Sequence, residues 1–225
     1  MPNLSDSCRV DRLPVSVRKL ARDAGMSFPL SLRAFLRDAP CPHTECVTLH
    51  LKSLSEPNVP VRTMLVSMRT VYNTANVGVR VGSREDLGGN AFAMLRDLDT
   101  GTCIMGGTPT AEQTTLFANR NNVGINDIVI YFVRTTNPGS NGCANHPTGR
   151  PGAVVTRGAT QWTLAHEIGH VLGLRHVDDP PPPNPGAPSP LLDRLMTGRG
   201  TASITNPPPD LINTEVTTMR SSPLT

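Results

Sequence analysis

Aromatic residues are scarce in this chain. It has one tryptophan, two tyrosines and five phenylalanines, 4% of 225 residues. An aromatic core is thereby excluded, and the interior must be aliphatic. Charge is thin too, at 17% of residues, with a net of +3 from 21 basic and 18 acidic groups. That composition excludes disorder driven by charge. The basic residues are scattered and form no run of five, so no nucleic-acid partner is expected. No apolar stretch approaches the ~20 residues of a membrane span, so no membrane partner is expected either. The first twenty residues lack a signal-peptide h-region. No export route is therefore expected from the chain as read, and its compartment stays open. The cysteines are Cys8, Cys41, Cys46, Cys103 and Cys143, an odd number that makes no complete disulfide framework. Cys41 and Cys46 could close a small loop, and Cys103 and Cys143 could pair. Reduced thiols are the alternative.

Proline is abundant by contrast. There are 22, and 11 of them lie in the 46 residues from Pro180 onward. Neither a long helix nor a regular sheet fits that tail. Residues 1–45 read as an N-terminal extension, with a short amphipathic helix near Leu30–Leu36. Regular patterns begin at Cys46. Val47, Leu49 and Leu51 alternate with Thr48, His50 and Lys52, which predicts a half-buried strand. Asn58 is a candidate cap for a helix with Pro60 in its first turn. Val61, Met64, Leu65, Met68 and Val71 follow at helical spacing. Val77–Val81 alternates again, and the strand–helix–strand order favours a parallel pair. The segment 82–107 is glycine-rich and gives no clear element. Thr108–Glu112 starts another helix, running to about Asn119. The apolar run IVIYFV after Asp127 predicts a strand buried on both faces. A loop spans Thr135–Pro151, and Ala153–Thr156 is a short strand.

Residues 160–173 read TQWTLAHEIGHVLG. Leu164, Ile168, Val171 and Leu172 make one apolar stripe of a helix. His166 and His170 fall on its far side, one turn apart and pointing the same way. Two imidazoles so placed can grip one tetrahedral zinc. Glu167 can reach a water beside that ion without being a ligand, as a general base must. Gly173 can end the helix in a left-handed turn, which brings His176 round as a third ligand. Three protein ligands leave a fourth position open, as a catalytic site requires.

The run His166–His176 resembles the HExxHxxGxxH pattern of the metzincin clan of zinc endopeptidases, and matches it in full. Met196, 20 residues after His176, fits the clan's methionine turn. The resemblance implies an α+β fold: a mixed twisted sheet with backing and active-site helices, then a small irregular lower lobe. That lobe would hold the methionine turn and end in a helix, here over Asp210–Arg220. It implies a catalytic domain over 46–225, with an upper lobe 46–176 and a lower lobe 177–225. It implies one zinc ion on His166, His170 and His176, Glu167 as general base, and protein or peptide substrates. A monomer is expected. The GHxLGLxH wording is similar to matrixins and pappalysins.

The chain departs from the clan pattern in three ways. The proline-rich insert at 178–190 separates the third histidine from Met196. No tyrosine follows Met196, so the tyrosine that some metzincins place at the metal has no counterpart. No recognisable propeptide precedes the domain; Cys8 or Cys41 could act as a zinc-binding switch. Gly152–Thr156 is the expected edge strand for an added substrate strand. Trp162 and Arg157 either line the cleft or serve the core. His146 has no partner at ligand spacing and is expected to be a loop histidine. Asp97, Asp99, Asn121, Asn126 and Asp127 match no calcium loop and are expected in ordinary turns. The competing reading is an inactive or latent zinc-binding protein that uses the same scaffold to bind other proteins.

Overall fold

A computed structural model describes Cys41, residues 43–178 and residues 190–225. The predicted helix near Leu30–Leu36, the switch role of Cys8 and most of the proline-rich insert lie outside the described residues.

Five strands form the main sheet, in the order β2-β1-β4-β7-β6. They are β1 (Glu45–Ser53), β2 (Val77–Asp86), β4 (Ile128–Val133), β6 (Gly142–Cys143) and β7 (Gly152–Thr156). The first four in that order run parallel, and β6 is antiparallel to β7. A separate parallel pair joins β3 (Asp97–Asp99) to β5 (Thr135–Asn137). The helices are α1 (Val61–Thr74), α2 (Ala111–Phe117), α3 (Thr163–Val171) and α4 (Asn213–Arg220). The expected mixed α+β architecture is thus present. Among the described residues, no helix is long and apolar enough to cross a membrane.

Side-chain alternation sorts the core into two clusters. Ile128, Ile130 and Phe132 of β4 join Val47, Leu49 and Leu51 of β1 and the inner faces of α1 and α3. Val129, Tyr131 and Val133 point the other way, to Leu98, Leu116 and Phe117. The run IVIYFV is therefore buried on both faces, as its continuous hydrophobicity predicts. Each fully buried Leu, Ile or Val contributes ~1.5–3 kcal/mol of transfer energy.

β1 corrects the sequence reading. It was expected to be half-buried, yet Thr48, His50 and Lys52 are only 7%, 3% and 1% exposed. The polar face of β1 is covered as well as the apolar one, so its side chains must find partners. Thr48 Oγ1 accepts from Arg80 Nε at 2.7 Å. His50 lies between Ser83 Oγ at 2.7 Å and Asp127 Oδ2 at 3.0 Å. Lys52 pairs with Glu85 and donates to Asn119 Oδ1 at 3.1 Å.

α1 buries Met64, Leu65, Met68 and Val71, as their spacing predicts. Its N-cap is Pro60, with no side-chain cap, so Asn58 does not serve as one. The Asn58 side chain instead accepts from Arg157 Nε at 3.0 Å. β2 runs past its predicted end, through Gly82. A Cβ there would come within 2.7 Å of His50 Cε1, beside a bulge between Leu49 and His50. Within the unassigned segment 82–107, a 3-10 turn over Asn90–Arg96 leads into β3. α2 has Thr110 as N-cap, bonded reciprocally with Gln113, and stops at Phe117, two residues short of the expected end.

β7 is not an edge strand, contrary to expectation. It lies between β4 and β6, and the edge belongs to β6, within a segment expected to be loop. Both candidate disulfides are formed, Cys41–Cys46 and Cys103–Cys143. Cys41 is therefore no free thiol for a zinc switch. Asp97 bonds Arg134 and Thr135, while the Asp99 and Asp127 carboxylates accept from Gly101 and Gly124 N–H groups. Those aspartates do sit in ordinary turn and strand contacts.

The C-terminal segment is irregular until its last helix. Leu195 N–H donates to Asp210 O at 3.0 Å, and Arg194 forms an ion pair with Glu215 of α4. α4 starts at Asn213 rather than Asp210, and its Met219 side chain is fully buried.

Candidate metal centre and cleft

α3 carries the centre and is gripped at both ends. At its start, Thr160 and Thr163 hydroxyls each lie 2.8 Å from the Thr201 hydroxyl. In its middle, Tyr72 of α1 donates its hydroxyl proton to Ala165 O at 2.9 Å. At its end Gly173 adopts φ +104°, and Leu174 N–H returns to Gly169 O at 2.9 Å. This is the left-handed stop expected from the glycine. It sends the chain back so that His176 faces His166 and His170.

Helix α3 is buried on more than its apolar stripe. His166 and Glu167 are only 6% and 7% exposed. The Nε2 atoms converge: 3.1 Å between His166 and His170, 3.1 Å between His170 and His176, and 3.3 Å between His166 and His176. The opposite ring nitrogens fix two tautomers. His166 Nδ1 lies 2.7 Å from Leu195 O, and His170 Nδ1 lies 2.8 Å from Leu174 O. A carbonyl only accepts, so each Nδ1 carries the proton and each Nε2 presents a bare lone pair. Lone pairs at this separation repel unless a cation lies between them. Ligands bound at ~2.0–2.1 Å in tetrahedral geometry stand about 3.3 Å apart, so the spacing suits a metal ion. These three histidines are the group able to hold one among the described residues.

Electrostatics favour the ligand form. Burial, helped by the neighbouring His170 ring, lowers the His166 pKa to about 3 against the pull of the Leu195 carbonyl. Burial likewise lowers that of His170 to about 4. Burial alone pushes Glu167 up to about 8. The Glu167 carboxylate has no hydrogen-bond partner among the described residues and lines the same cleft as the histidines.

Three close contacts shape the floor and roof. A Cβ on Gly169 would come within 2.7 Å of Met196 Sδ, so Met196 lies directly against the helix turn between His166 and His170. Met196 is fully buried, and its carbonyl accepts from Val177 N–H at 2.9 Å. A Cβ on Gly198 would touch the His176 ring at 3.2 Å. A Cβ on Gly142, in β6, would come within 2.4 Å of Glu167 Oε1. The edge strand thus lies directly over the carboxylate.

The cavity holds about 660 Å³, and its lining includes Cys103–Met105, Gly142, Glu167, the three histidines and Thr197–Thr201. Asn145 lines it as well, and its buried Oδ1 has no hydrogen-bond partner among the described residues. Trp162 packs against the core, and neither it nor Arg157 lines the cavity. His146 is a loop histidine bonded to its neighbour Pro147. Sequence reasoning had no access to Gly142, Asn145 or Gly198, which act through contacts distant in sequence. The one available signal was the cysteine after Gly142, since a Cys103–Cys143 bridge, one of the pairings left open, ties that segment to residues 103–105, which also line the cavity.

No family model matches the chain, and no curated protein matches it in sequence. Among solved structures it is similar to metalloproteinase-II from Bacteroides fragilis, with a TM-score of 0.52 and 16% identity. The match covers 84% of this chain and 60% of that one. The chain thus spans 60% of that neighbour's length. Its fold is metalloproteinase-like, and its histidine triad can hold a metal within that fold.

Proposed function

We propose that the chain is a zinc-dependent endopeptidase of the metzincin type. Residues 46–225 would be its catalytic domain, with lobes 46–176 and 177–225 on either side of the cleft. The observation that carries the reading is the convergence of bare imidazole nitrogens beside a buried carboxylate with no hydrogen-bond partner among the described residues. A purely structural zinc site has no use for that carboxylate.

His166, His170 and His176 would hold one zinc, with Met196 as the methionine turn under them and Gly173 as the turn that delivers His176. A bound zinc supplies Lewis acidity at the open position beside the triad. Glu167 takes the proton of the attacking water and passes it to the leaving amine. A carboxyl held near neutrality by burial can both accept and release that proton. The leucine carbonyls at 195 and 174 keep the ligand rings in one tautomer and orientation. Peptide or protein substrate would lie along β6, the free edge, adding a strand to the sheet.

The test is proteolysis of an unstructured protein substrate by zinc-loaded protein, before and after chelation and after zinc is returned. Cleavage that stops and resumes supports the reading. Zinc bound without cleavage would favour the alternative, a latent or inactive zinc-binding scaffold.

A further inference from the structure

The Cys103–Cys143 bridge joins the rim of the cleft to its roof, and its two sulfurs stand in unlike surroundings. Cys103 is half-buried and lines the cavity at the head of the rim run Cys103–Met105. Cys143 follows Gly142, the residue over Glu167; it is fully buried and does not line the cavity. A thiol in the cavity therefore meets Cys103 first. Cys143 has a donor beside it, since Gln113 Nε2 lies 3.6 Å from its sulfur. Gln113 is fully buried and fixed in turn: its Oε1 accepts from Thr110 N–H at 2.9 Å. A donor so placed favours Cys143 as the departing thiolate. Cys103 also holds φ +47°, left-handed backbone that a residue with a Cβ adopts at a cost, and an open bridge releases it. Little else ties that rim. Among the described residues, the hydrogen bonds of 102–107 stay inside the turn, from Cys103 N–H to Thr100 O at 3.3 Å and from Gly107 N–H to Ile104 O at 2.8 Å. Ile104 and Met105 are 62% and 41% exposed. β6 has other ties, its pairing with β7 and the Gln113 bond to Asn145 O at 3.1 Å.

We propose that this bridge is a thiol-reactive latch on the cleft. A small thiol reductant opens it, the rim at 103–105 comes free, and substrate binds more weakly until the bridge is remade. The consequence for substrate rests on the proteolytic reading above; the exchange chemistry does not. The reductant's thiolate attacks Cys103 Sγ. A new S–S bond forms there, the Cys103–Cys143 bond breaks, and Cys143 leaves as a thiolate that takes up a proton. A second reductant thiolate attacks the mixed disulfide, forms the reductant's own disulfide and releases Cys103 as a thiol. The protein gains two electrons and two protons, and the reductant pair loses them. The reductant's disulfide reverses the sequence.

The test holds zinc-loaded wild type in glutathione buffers that run from oxidised to reduced, below its melting temperature. Alkylation followed by peptide mass spectrometry reads each cysteine separately, so opening of Cys41–Cys46 is counted apart. Cys103 and Cys143 should become alkylatable together. Amides of 102–107 should then exchange hydrogen faster, while those of α3 do not. KM for an unstructured protein substrate should rise about fivefold, the cost of ordering one or two rim side chains anew on binding. The kcat and the zinc content should hold, and oxidised glutathione should restore KM. Cys103→Ala combined with Cys143→Ala should show the raised KM without glutathione and no response to it. A bridge that stays closed until the fold melts overturns the inference. So does an open bridge with unchanged KM, or a loss of activity in step with zinc. If the wild type cleaves nothing in either state, proteolysis fails as a reading, while alkylation and hydrogen exchange still judge the latch.

Discussion

Replacing Gly142 with alanine puts a methyl group into Glu167. The added Cβ would lie 2.4 Å from Oε1 and 2.6 Å from both Cδ and Cγ of Glu167. Ordinary carbon contacts stand at about 3.5–4.0 Å, so the overlap is on the order of 1 Å. The edge strand resists movement, since Cys143 is bridged to Cys103 and Thr156 N–H bonds Asn141 O at 3.0 Å. The carboxylate therefore yields, by about the same distance. A displacement of that size at a reacting group costs on the order of 10²-fold in rate. Stability should fall by at most about 2–3 kcal/mol: overlap costs ~1–3 kcal/mol, offset in part by ~0.4–1 kcal/mol from the stiffer unfolded chain. The histidines lie outside the clash, so zinc content should hold. The assay pairs kcat with metal content and a thermal melt on the same preparation. An active Gly142→Ala would refute the placement of Glu167 as the base. Loss of zinc in step with activity would also refute the reasoning, because the damage would then run through the ligands.

Three further outcomes are expected. Met196→Ala empties a fully buried position against Gly169 and should cost about 2–5 kcal/mol in urea unfolding, with faster zinc loss to a chelator. Asn145→Ala removes a buried unpaired acceptor from the cleft wall. It should leave the melting temperature unchanged or higher but raise KM several-fold, if substrate is what satisfies that atom. Hydrogen bonds from Arg134 and then Thr135 hold the Asp97 carboxyl down at about 2. The folded pKa is depressed, so its stabilisation is present above pH ~4 and is lost as pH falls toward 2. Acid unfolding of Asp97→Asn should lack that part of the slope; an unchanged profile would contradict the pairing.

Legibility followed the range of each interaction. The helix motif, the glycine stop and the return of His176 are local, and the chain between 160 and 176 encodes them in a single period. IVIYFV was readable because burial on both faces removes alternation altogether. β1 misled because alternation normally marks a wet face. Here Arg80, Ser83, Glu85, Asn119 and Asp127 cover its polar side, and none of these is near it in sequence. β6 escaped notice for the same reason: two residues among glycine, serine and asparagine carry no periodic signal. Its position is set by the Cys103 bridge and by pairing with β7. The cleft's roof thus depends on long-range partners, while its floor helix could be read directly. The proline-heavy tail is more than irregular chain, since Leu195, Met196 and Gly198 of that tail touch the ring or helix of the three converging histidines.

The most direct test of the account compares wild type with Glu167→Ala at matched zinc content, on one unstructured protein substrate. The account predicts one bound zinc in each. It also predicts cleavage by the wild type that falls by at least about 10²-fold in the variant, the lower range for losing a general base. Equal cleavage by both proteins would contradict it.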